Sequence, residues 1–455
     1  MTHRSSPGAK VARLGALAGL GLALKFWWDP VRCMDGYHRR LGRAICVNRL
    51  ERYPNKYLFL LGPDYNQRVL TRTDIVRPTG PWGLEGPPHS ALRDFQHDYL
   101  STYGKEHAMV SEMVALQLKK SRTKEHFERV KAIAVDAISL WPMGTAIDLY
   151  ARVREVAQHA AFSALFGEED ADRARAFGER LAAFHHTSWS SLPHLLPFDV
   201  RGLPYHRAAR EAETLKAFIV TWVREQRGVA SSDNLRASFA NMVEAWGTPF
   251  ARFADGKIAG YFIFLAFASY ETMSSALSWT LLLLTQNPKV AADLADELRP
   301  VRPIEHIDRD RLSALPLLDA VIKESLRLNP PTPYIPLRMF DDWEIDGCRL
   351  RRGAQIILSP RLTHRLPELY PEPESFLPER WFSIRPSAYE YLPFSGGPRR
   401  CPGQNFAVDF LKIALAVILT RYRLHIRTSR RPDWQFAGIM MPRANIPLLL
   451  SPATR

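Results

Sequence analysis

The sequence predicts a mainly α-helical protein with a few small β-sheets. Helical periodicity dominates from about residue 88 to 330, where alanine, leucine, glutamate and arginine are abundant. Short strand patterns occupy residues 57–61, 343–350 and 354–358, and an Asp-Gly pair inside the second of them predicts a hairpin turn. No Gly/Ser linker, low-complexity tract or repeat divides the 455 residues. We therefore expect one large domain over residues 31–455, preceded by an N-terminal segment, 1–30.

The N-terminal segment carries an uncharged apolar run at residues 14–24, between Arg13 and Lys25. A helix needs about 20 apolar residues to span a bilayer, so this run is too short to cross one. Lys25 is followed by Phe-Trp-Trp-Asp, which does not resemble the cleavage site of a secretory signal. Two alternatives remain: a helix docked on the protein, or a helix on a membrane surface, which Trp27 and Trp28 would suit. We expect a cytoplasmic protein, with peripheral membrane contact as the open alternative.

Charge and cysteine content exclude several classes of protein. The formal net charge is +14, but the basic residues are spread along the chain and no nucleic-acid motif accompanies them, so we expect no nucleic-acid partner. Four cysteines, at positions 33, 46, 348 and 401, are too few and too scattered for a disulfide framework. They also contain no CxxC pair that would indicate zinc. A reducing compartment is the simpler inference.

A long apolar stretch from about residue 256 to 286 predicts a helix that crosses a whole domain, closed by Asn287-Pro288. Its interior contains Glu271 and Thr272, which are costly to bury without a purpose. Periodicity alone leaves an alternative open, in which Glu271 faces solvent and Thr272 bonds back to a carbonyl one turn earlier.

The most informative motif is the loop 394–403, which reads Phe-Ser-Gly-Gly-Pro-Arg-Arg-Cys-Pro-Gly. Its glycines and prolines break regular structure, so the loop can hold the sulfur of Cys401 in one fixed place. Helix start signals after Gly403 place this cysteine just before a helix N-terminus, where the macrodipole favours a thiolate. The spacing Phe-x-x-Gly-x-Arg-x-Cys-x-Gly resembles the haem-thiolate loop of the cytochrome P450 family.

The resemblance implies a single mainly helical domain in which haem b lies between a long distal helix and the cysteine loop. On the matching positions, Cys401 is the iron ligand and Arg399 reaches a haem carboxylate. Phe394 lies against the ring, and Gly397 lets the backbone approach the flat macrocycle. A thiolate ligand pushes electron density onto the iron and favours O–O cleavage.

Cationic side chains are expected to bind the two haem propionates. His89 and Arg93 lie four residues apart at the start of a helical pattern and resemble the family's His-x-x-x-Arg clamp. The alternative is an ordinary helix N-terminal turn. Arg338 stands where the family often has another propionate ligand.

Three further charges resemble the family's structural network behind the haem loop. Glu324 and Arg327 share one face of a predicted helix that ends before two prolines, and Arg380 matches the family's second buried arginine. The alternative for Glu324 and Arg327 is an exposed pair contributing about 0.2–0.5 kcal/mol. We expect a buried structural network, because buried charges persist only when they are paired.

The resemblance also gives Glu271 and Thr272 a role, because family members carry an acid-alcohol pair in the distal helix. The alcohol handles oxygen and the acid supplies protons, which is general acid catalysis by a positioned group. The sequence departs from the family at Ser269, where glycine is common.

The implied activity is a haem-thiolate monooxygenase that inserts one oxygen atom of O2 into an organic substrate. The chain shows no flavin domain and no iron–sulfur motif, so electrons are expected from a separate ferredoxin, flavodoxin or flavoprotein reductase. One alternative is a peroxygenase, isomerase or dehydratase that needs no external electrons. A haem-based sensor is the second alternative, although no signalling domain is attached.

The family's substrate-contacting segments correspond here to residues that are all apolar or aromatic. This composition favours a lipophilic substrate such as a fatty acid, a terpenoid or a sterol, without choosing among them. The matching positions are Phe267, Ala268, Tyr334, Ile335, Met440 and Met441.

Overall fold

The computed structural model describes residues 11–47, 57–79, 84–95, 102–118, 123–166, 171–226, 255–426, 433–443 and 446–453. Helices account for most of these residues, as the sequence predicts. They are α1 (Ala16–Trp28), α2 (Pro30–Leu41), α3 (Pro63–Leu70), α4 (Ala91–Phe95), α5 (Gly104–Gln117), α6 (Thr123–Ser139), α7 (Leu149–Phe166), α8 (Ala171–Ser188), α9 (Ser191–Leu195), α10 (Pro204–Gln226), α11 (Asp255–Gln286), α12 (Pro288–Glu297), α13 (Arg309–Ser313), α14 (Pro316–Leu328), α15 (Pro360–Thr363) and α16 (Gln404–Arg421).

The strands are short, at two to six residues each. Several stand where the sequence predicts them, including the strand near residue 57 and the pair around residues 343–350. They are β1 (Ala12–Leu14), β2 (Ala44–Val47), β3 (Tyr57–Leu60), β4 (Val76–Pro78), β5 (Ile147–Asp148), β6 (Ile335–Met339), β7 (Trp343–Ile345), β8 (Cys348–Leu350), β9 (Gln355–Leu358), β10 (Tyr422–Ile426), β11 (Trp434–Phe436), β12 (Met440–Pro442) and β13 (Pro447–Pro452).

The described chain forms two compact units. The first comprises Met1–Thr79, Arg327–Ser375 and Ile384–Cys401. Its six-stranded sheet has the order β1-β2-β3-β9-β6-β4, and β7 pairs with β8 in a separate hairpin. Asp346 and Gly347 both have positive φ, at 48° and 77°, as the two central residues of a tight hairpin require. The Asp-Gly turn prediction is therefore confirmed.

The second unit comprises Gly80–Leu326, Phe376–Ser383 and Pro402–Arg455. Helix α11 packs against α7 and α16, and α6 packs against the same two helices. Strands β10, β13 and β5 form one small sheet, while the β11–β12 hairpin packs on α11. The prediction of one catalytic domain over residues 31–455 stays a prediction.

Helix α11 is the long helix that the apolar stretch predicts. Most of its described side chains from Ala259 to Leu284 are buried, because neighbouring helices cover it on several sides. It ends at Gln286, where Asn287 and Pro288 follow and the proline opens α12. Proline suits the first turn of a helix, because the backbone N–H groups of that turn have no acceptor within the helix and proline lacks this N–H.

Helix α1 lies within the predicted N-terminal segment, of which residues 1–10 fall outside the described ranges. Leu22 is 3% exposed and Phe26 packs against the same cluster of the first unit. Trp28, in contrast, is 89% exposed. Helix α2 follows at once, with Asp29 accepting a hydrogen bond from the backbone N–H of Arg32 at 2.9 Å. Among the described residues, no helix combines the length and apolar character needed to cross a membrane.

The structure differs from the sequence interpretation in its cysteines. Cys46 of β2 and Cys348 of β8 form a disulfide across the first unit, with their Cα atoms 6.7 Å apart. The two positions are 302 residues apart in the chain, so spacing alone could not indicate the pairing. A single bridge is not the framework that the cysteine count excludes, but it removes the basis for inferring a compartment from that count.

Candidate functional site

The cysteine loop of the first unit holds Cys401 by its backbone. The N–H of Cys401 donates to the carbonyl of Phe394 at 2.9 Å, which closes the loop on itself. A single 3-10 turn, Gly397–Arg399, lies between them. The Cys401 side chain is exposed. The loop therefore fixes the backbone and leaves the sulfur at the surface of its unit.

Gly397 is required by a neighbour that the sequence did not indicate. Its φ is +68°, and a Cβ at this position would lie 2.6 Å from the backbone carbonyl oxygen of Leu70, in α3. Both the left-handed backbone and the close approach exclude other residues. The sequence interpretation explained this glycine by the close approach of the backbone to a flat macrocycle. The close approach of α3 is a separate reason for a glycine at this position.

Glu324 is fully buried in the second unit and its carboxylate is satisfied by three donors. Arg380 Nε donates to Oε1 at 3.0 Å, and the backbone N–H of Leu377 donates to the same oxygen at 3.1 Å. Trp381 Nε1 donates to Oε2 at 2.9 Å. The exposed-pair alternative is therefore wrong for Glu324, and Trp381 is a partner that the sequence interpretation missed.

Arg327 is fully buried in the first unit and donates to backbone carbonyls. Its guanidinium bonds to His364, Pro373 and Ser375 at 2.9, 2.7 and 3.0 Å. These bonds tie the last residues of α14, which belong to this unit, to the end of α15 and the segment that follows it. A buried guanidinium surrounded by carbonyls is a structural cross-link, and the exposed-pair alternative is wrong for this residue too.

His364 links this cross-link to the chain just before the cysteine loop. Its Nε2 accepts from the backbone N–H of Leu392 at 2.8 Å, so Nδ1 carries the proton and donates to the Arg327 carbonyl at 3.2 Å. Burial, aided by the positive charge of Arg327, lowers the pKa of His364 to about 3. The imidazole is therefore neutral and structural.

Glu271 is buried in α11 and faces α7. Its Oε1 lies 2.9 Å from Arg154 Nε, and its Oε2 accepts a hydrogen bond from the Tyr150 hydroxyl at 2.9 Å. Burial, and then the neighbouring carboxylate, raise the pKa of Tyr150 well above its usual value, so the phenol keeps its proton. The alternative in which Glu271 faces solvent is therefore wrong. Arg154 and Tyr150 carry no local signal in the sequence.

Thr272 bonds within its own helix. Its hydroxyl donates to the Ala268 carbonyl at 2.8 Å, as the alternative interpretation of this residue described. Ser269, the departure from the family pattern, donates to the Ala266 carbonyl at 2.8 Å. Glu271 and Thr272 are thus adjacent in sequence, but the first is engaged by α7 and the second by its own backbone.

Four of the predicted substrate residues lie in the second unit, on α11 and β12. The ring of Phe267 lies 4.3 Å from that of His185, in α8. The Met440 carbonyl accepts from the Ser275 hydroxyl at 2.6 Å, which fixes β12 on α11. Phe267, Met440 and Met441 are buried and Ala268 is half-buried. Burial lowers the pKa of His185 to about 3, so this ring is neutral as well.

The remaining two substrate residues lie in the first unit. Ile335 opens β6 and pairs with Leu358 of β9. Tyr334 immediately precedes it, and its ring packs 5.3 Å from that of Phe26 in α1.

Three of the predicted propionate ligands, His89, Arg93 and Arg338, have exposed side chains. The sequence pattern placed His89 and Arg93 together at the start of a helix. In the structure, His89 stands in a turn before α4 with a φ of 67°, and only Arg93 lies in the helix. Arg93 lies inside α4 and is exposed. In the first unit, Arg338 projects from β6 and is exposed.

A model of the cytochrome P450 family matches residues 30–450. The chain belongs to the cytochrome P450 family. A putative cytochrome P450 139 from Mycobacterium bovis is 26% identical over 397 residues, covering 84% of this chain and 90% of that protein. Cytochrome P450 4V2 from Mus musculus is 33% identical over 230 residues, covering 49% of this chain and 44% of that protein.

A solved structure of a P450, described as retinoic acid bound cyanobacterial CYP120A1, has a TM-score of 0.82 with 20% identity. The structural match covers 98% of this chain and 100% of the CYP120A1 chain. At this identity the likeness shows the fold alone, which is the mainly helical P450 fold with small sheets. Cytochromes P450 are generally haem-thiolate monooxygenases that use O2, lipophilic substrates and redox partner proteins.

Each unit, described separately, contributes side chains that suit the binding of a haem. The first unit offers an exposed thiol at Cys401, a half-buried guanidinium at Arg399 and an exposed one at Arg338. The second unit offers the exposed side chains of His89 and Arg93. A thiolate sulfur and cations for two carboxylates are the donors that such a group requires.

Proposed function

We propose that this P450 is a haem b monooxygenase that inserts one oxygen atom of O2 into a lipophilic substrate, with electrons from a separate ferredoxin, flavodoxin or flavoprotein reductase. The supporting observation is the closed loop that presents the exposed sulfur of Cys401. When bound, the haem supplies the oxygen-activating chemistry. We assign fatty acids, terpenoids and sterols as the substrate classes to be screened.

In this proposal Cys401 is the axial ligand, with Phe394 and Gly397 shaping its loop. Arg399 and Arg338 of the first unit bind haem carboxylates. His89 and Arg93 of the second unit do the same. The support is chemical, since each is a side chain with N–H donors at or near the surface of its unit, and three of the four are arginines.

Glu271 and Thr272 are assigned to proton transfer. Thr272 would turn its hydroxyl from the Ala268 carbonyl toward the reacting oxygen, exchanging one hydrogen bond for another. Glu271 would pass protons only after giving up a contact, because both of its oxygens are engaged, by Arg154 and by Tyr150. Tyr150 holds its proton and acts as a donor to the carboxylate.

A peroxide-using or non-redox haem-thiolate enzyme is the second candidate. The engagement of both Glu271 and Thr272 by other groups favours it, because such reactions need no proton relay from solvent. Product formation with a reduced redox partner supports the monooxygenase. Product formation with peroxide alone, or without any oxidant, supports the second candidate.

The ligand assignment is tested with Cys401→Ser. We expect the variant to lose the red-shifted absorption band that the reduced carbon monoxide complex of a haem thiolate shows, because serine does not supply a thiolate. Cys33→Ser is the matched control: its thiol is buried and burial raises its pKa to about 11, so it holds no thiolate. Persistence of the band in Cys401→Ser would place the iron ligand elsewhere.

A further inference from the structure

Helix α1 lies outside residues 30–450, the part of the chain that the family model matches. It is nevertheless packed into the first unit. The Leu22 side chain is buried, and the Cys33 thiol of α2 donates to the Leu22 carbonyl at 3.7 Å. Strand β1, just before α1, pairs in parallel with β2. The helix is therefore anchored at its start by a strand and along its length by apolar contacts.

The last turn of α1 contacts Tyr334, one of the residues that match the family's substrate-contacting segments. Phe26 lies with its ring centroid 5.3 Å from that of Tyr334 and 5.7 Å from that of Phe59 in β3. The planes of Phe26 and Tyr334 are inclined by 54°, and the distance between the rings lies in the range of interacting aromatic pairs. Trp28, two residues later, is 89% exposed and lies outside this cluster.

The backbone before Tyr334 is already fixed, so the direction of its ring depends on side-chain packing. The Pro333 carbonyl accepts from the Ser359 hydroxyl at 3.1 Å and from the Arg361 N–H at 3.3 Å. After Tyr334, the chain enters β6. Burial, and then the carboxylate of Asp29, raise the pKa of Tyr334 well above its usual value.

We propose that Phe26 is a positioning residue that sets the orientation of Tyr334 and thereby the fit of the substrate. The inference rests on the proposed function, together with the expectation from the sequence that Tyr334, at a substrate-contacting position of the family, contacts the lipophilic substrate. Removing the Phe26 ring would leave space beside Tyr334, and ligand binding would then have to order a mobile ring. Ordering one such side chain costs about 0.5–1.5 kcal/mol, which corresponds to a loss of up to about tenfold in affinity.

The test compares Phe26→Ala, Phe26→Leu and Trp28→Ala in the haem-loaded protein. Dodecanoic acid, a monoterpene and a sterol are titrated as large probes, and imidazole as a small iron ligand, with binding followed by the haem absorption shift. We expect Phe26→Ala to weaken the large probe that binds the wild type by several-fold to tenfold and to leave imidazole unchanged. Phe26→Leu should restore most of the affinity, and Trp28→Ala should behave as wild type.

A second measurement needs neither haem nor ligand. Tetranitromethane modifies accessible tyrosines, and mass spectrometry reports the rate at Tyr334 in each variant. We expect several-fold faster modification in Phe26→Ala and no change in Trp28→Ala. The inference is overturned if Phe26→Ala matches Trp28→Ala in this rate, or if it weakens imidazole as much as the large probe. If the wild type lacked the red-shifted absorption band of the reduced carbon monoxide complex, the proposed function would be refuted instead.

Discussion

Replacing Arg154 with alanine would leave Glu271 as a buried carboxylate without its cation. Breaking a buried ion pair by removing one partner costs about 3–5 kcal/mol, because the remaining charge is not compensated. The Glu271 side chain is 5% exposed, but that of Arg154 is 26% exposed. In the variant, water can therefore enter the space of the guanidinium and hydrate part of the carboxylate charge. Tyr150 also keeps its hydrogen bond. We therefore expect a loss of about 2–3 kcal/mol in the free energy of unfolding.

Urea denaturation followed by circular dichroism at neutral pH measures this loss. The matched control is Arg152→Ala, two residues earlier in α7, whose side chain is 43% exposed and pairs with the exposed Glu155. That change should cost less than about 1 kcal/mol. Glu271→Gln in the Arg154→Ala background should recover about 1–2 kcal/mol, since a neutral amide needs no cation. Equal losses for Arg154→Ala and Arg152→Ala would refute the assignment of Glu271 to a buried ion pair.

Two further predictions concern the first unit. Gly397→Ala should lower the free energy of unfolding by more than about 2 kcal/mol, because the added Cβ meets both a left-handed backbone and the Leu70 carbonyl. Gly144→Ala in the second unit, where φ is +74° and no neighbour lies within 4 Å, should cost only the backbone part, about 1 kcal/mol, and equal losses in urea denaturation would contradict the argument. Burial, with the charge of Arg327, lowers the pKa of His364 from 6.5 to about 3. Below pH 6.5 the imidazole is therefore protonated in the unfolded chain but not in the folded chain. The free energy of unfolding is retained above pH 6.5 and decreases below it, by about 2 kcal/mol at pH 5. A His364→Gln variant should show a flatter pH profile between pH 7 and 5, and an unchanged slope would argue against a neutral buried imidazole.

Features with a local signal could be predicted from the sequence. A long apolar run and a closing Asn-Pro pair predict helix α11, and the Asp-Gly pair predicts the turn of the β7–β8 hairpin. Both signals work because they report backbone preferences and burial within a few residues. The same holds for the loop around Cys401, whose spacing identifies the family.

Partners that are distant in sequence could not be predicted, because periodicity contains no information on what an element packs against. Arg154 and Glu271 lie on different helices, and Cys46 and Cys348 are 302 residues apart. Trp381 is the exception: it directly follows Arg380, so the Glu324 network could have included it. The contact of Gly397 with Leu70 could not be predicted for a related reason, since a glycine pattern shows that space is needed but not which neighbour needs it.

The position of Glu271 sets a condition on the proposed proton relay. A carboxylate that receives a hydrogen bond on one oxygen and an ion pair on the other accepts a proton only by losing one of these contacts. Arg154 is the more exposed of the two partners, so water reaches the ion pair more readily than the Tyr150 hydrogen bond. The contact that stabilises the α7–α11 packing is thus the same contact that would have to open during turnover. The proposed relay therefore requires an equilibrium between a closed pair and an open one, with the closed pair favoured at rest.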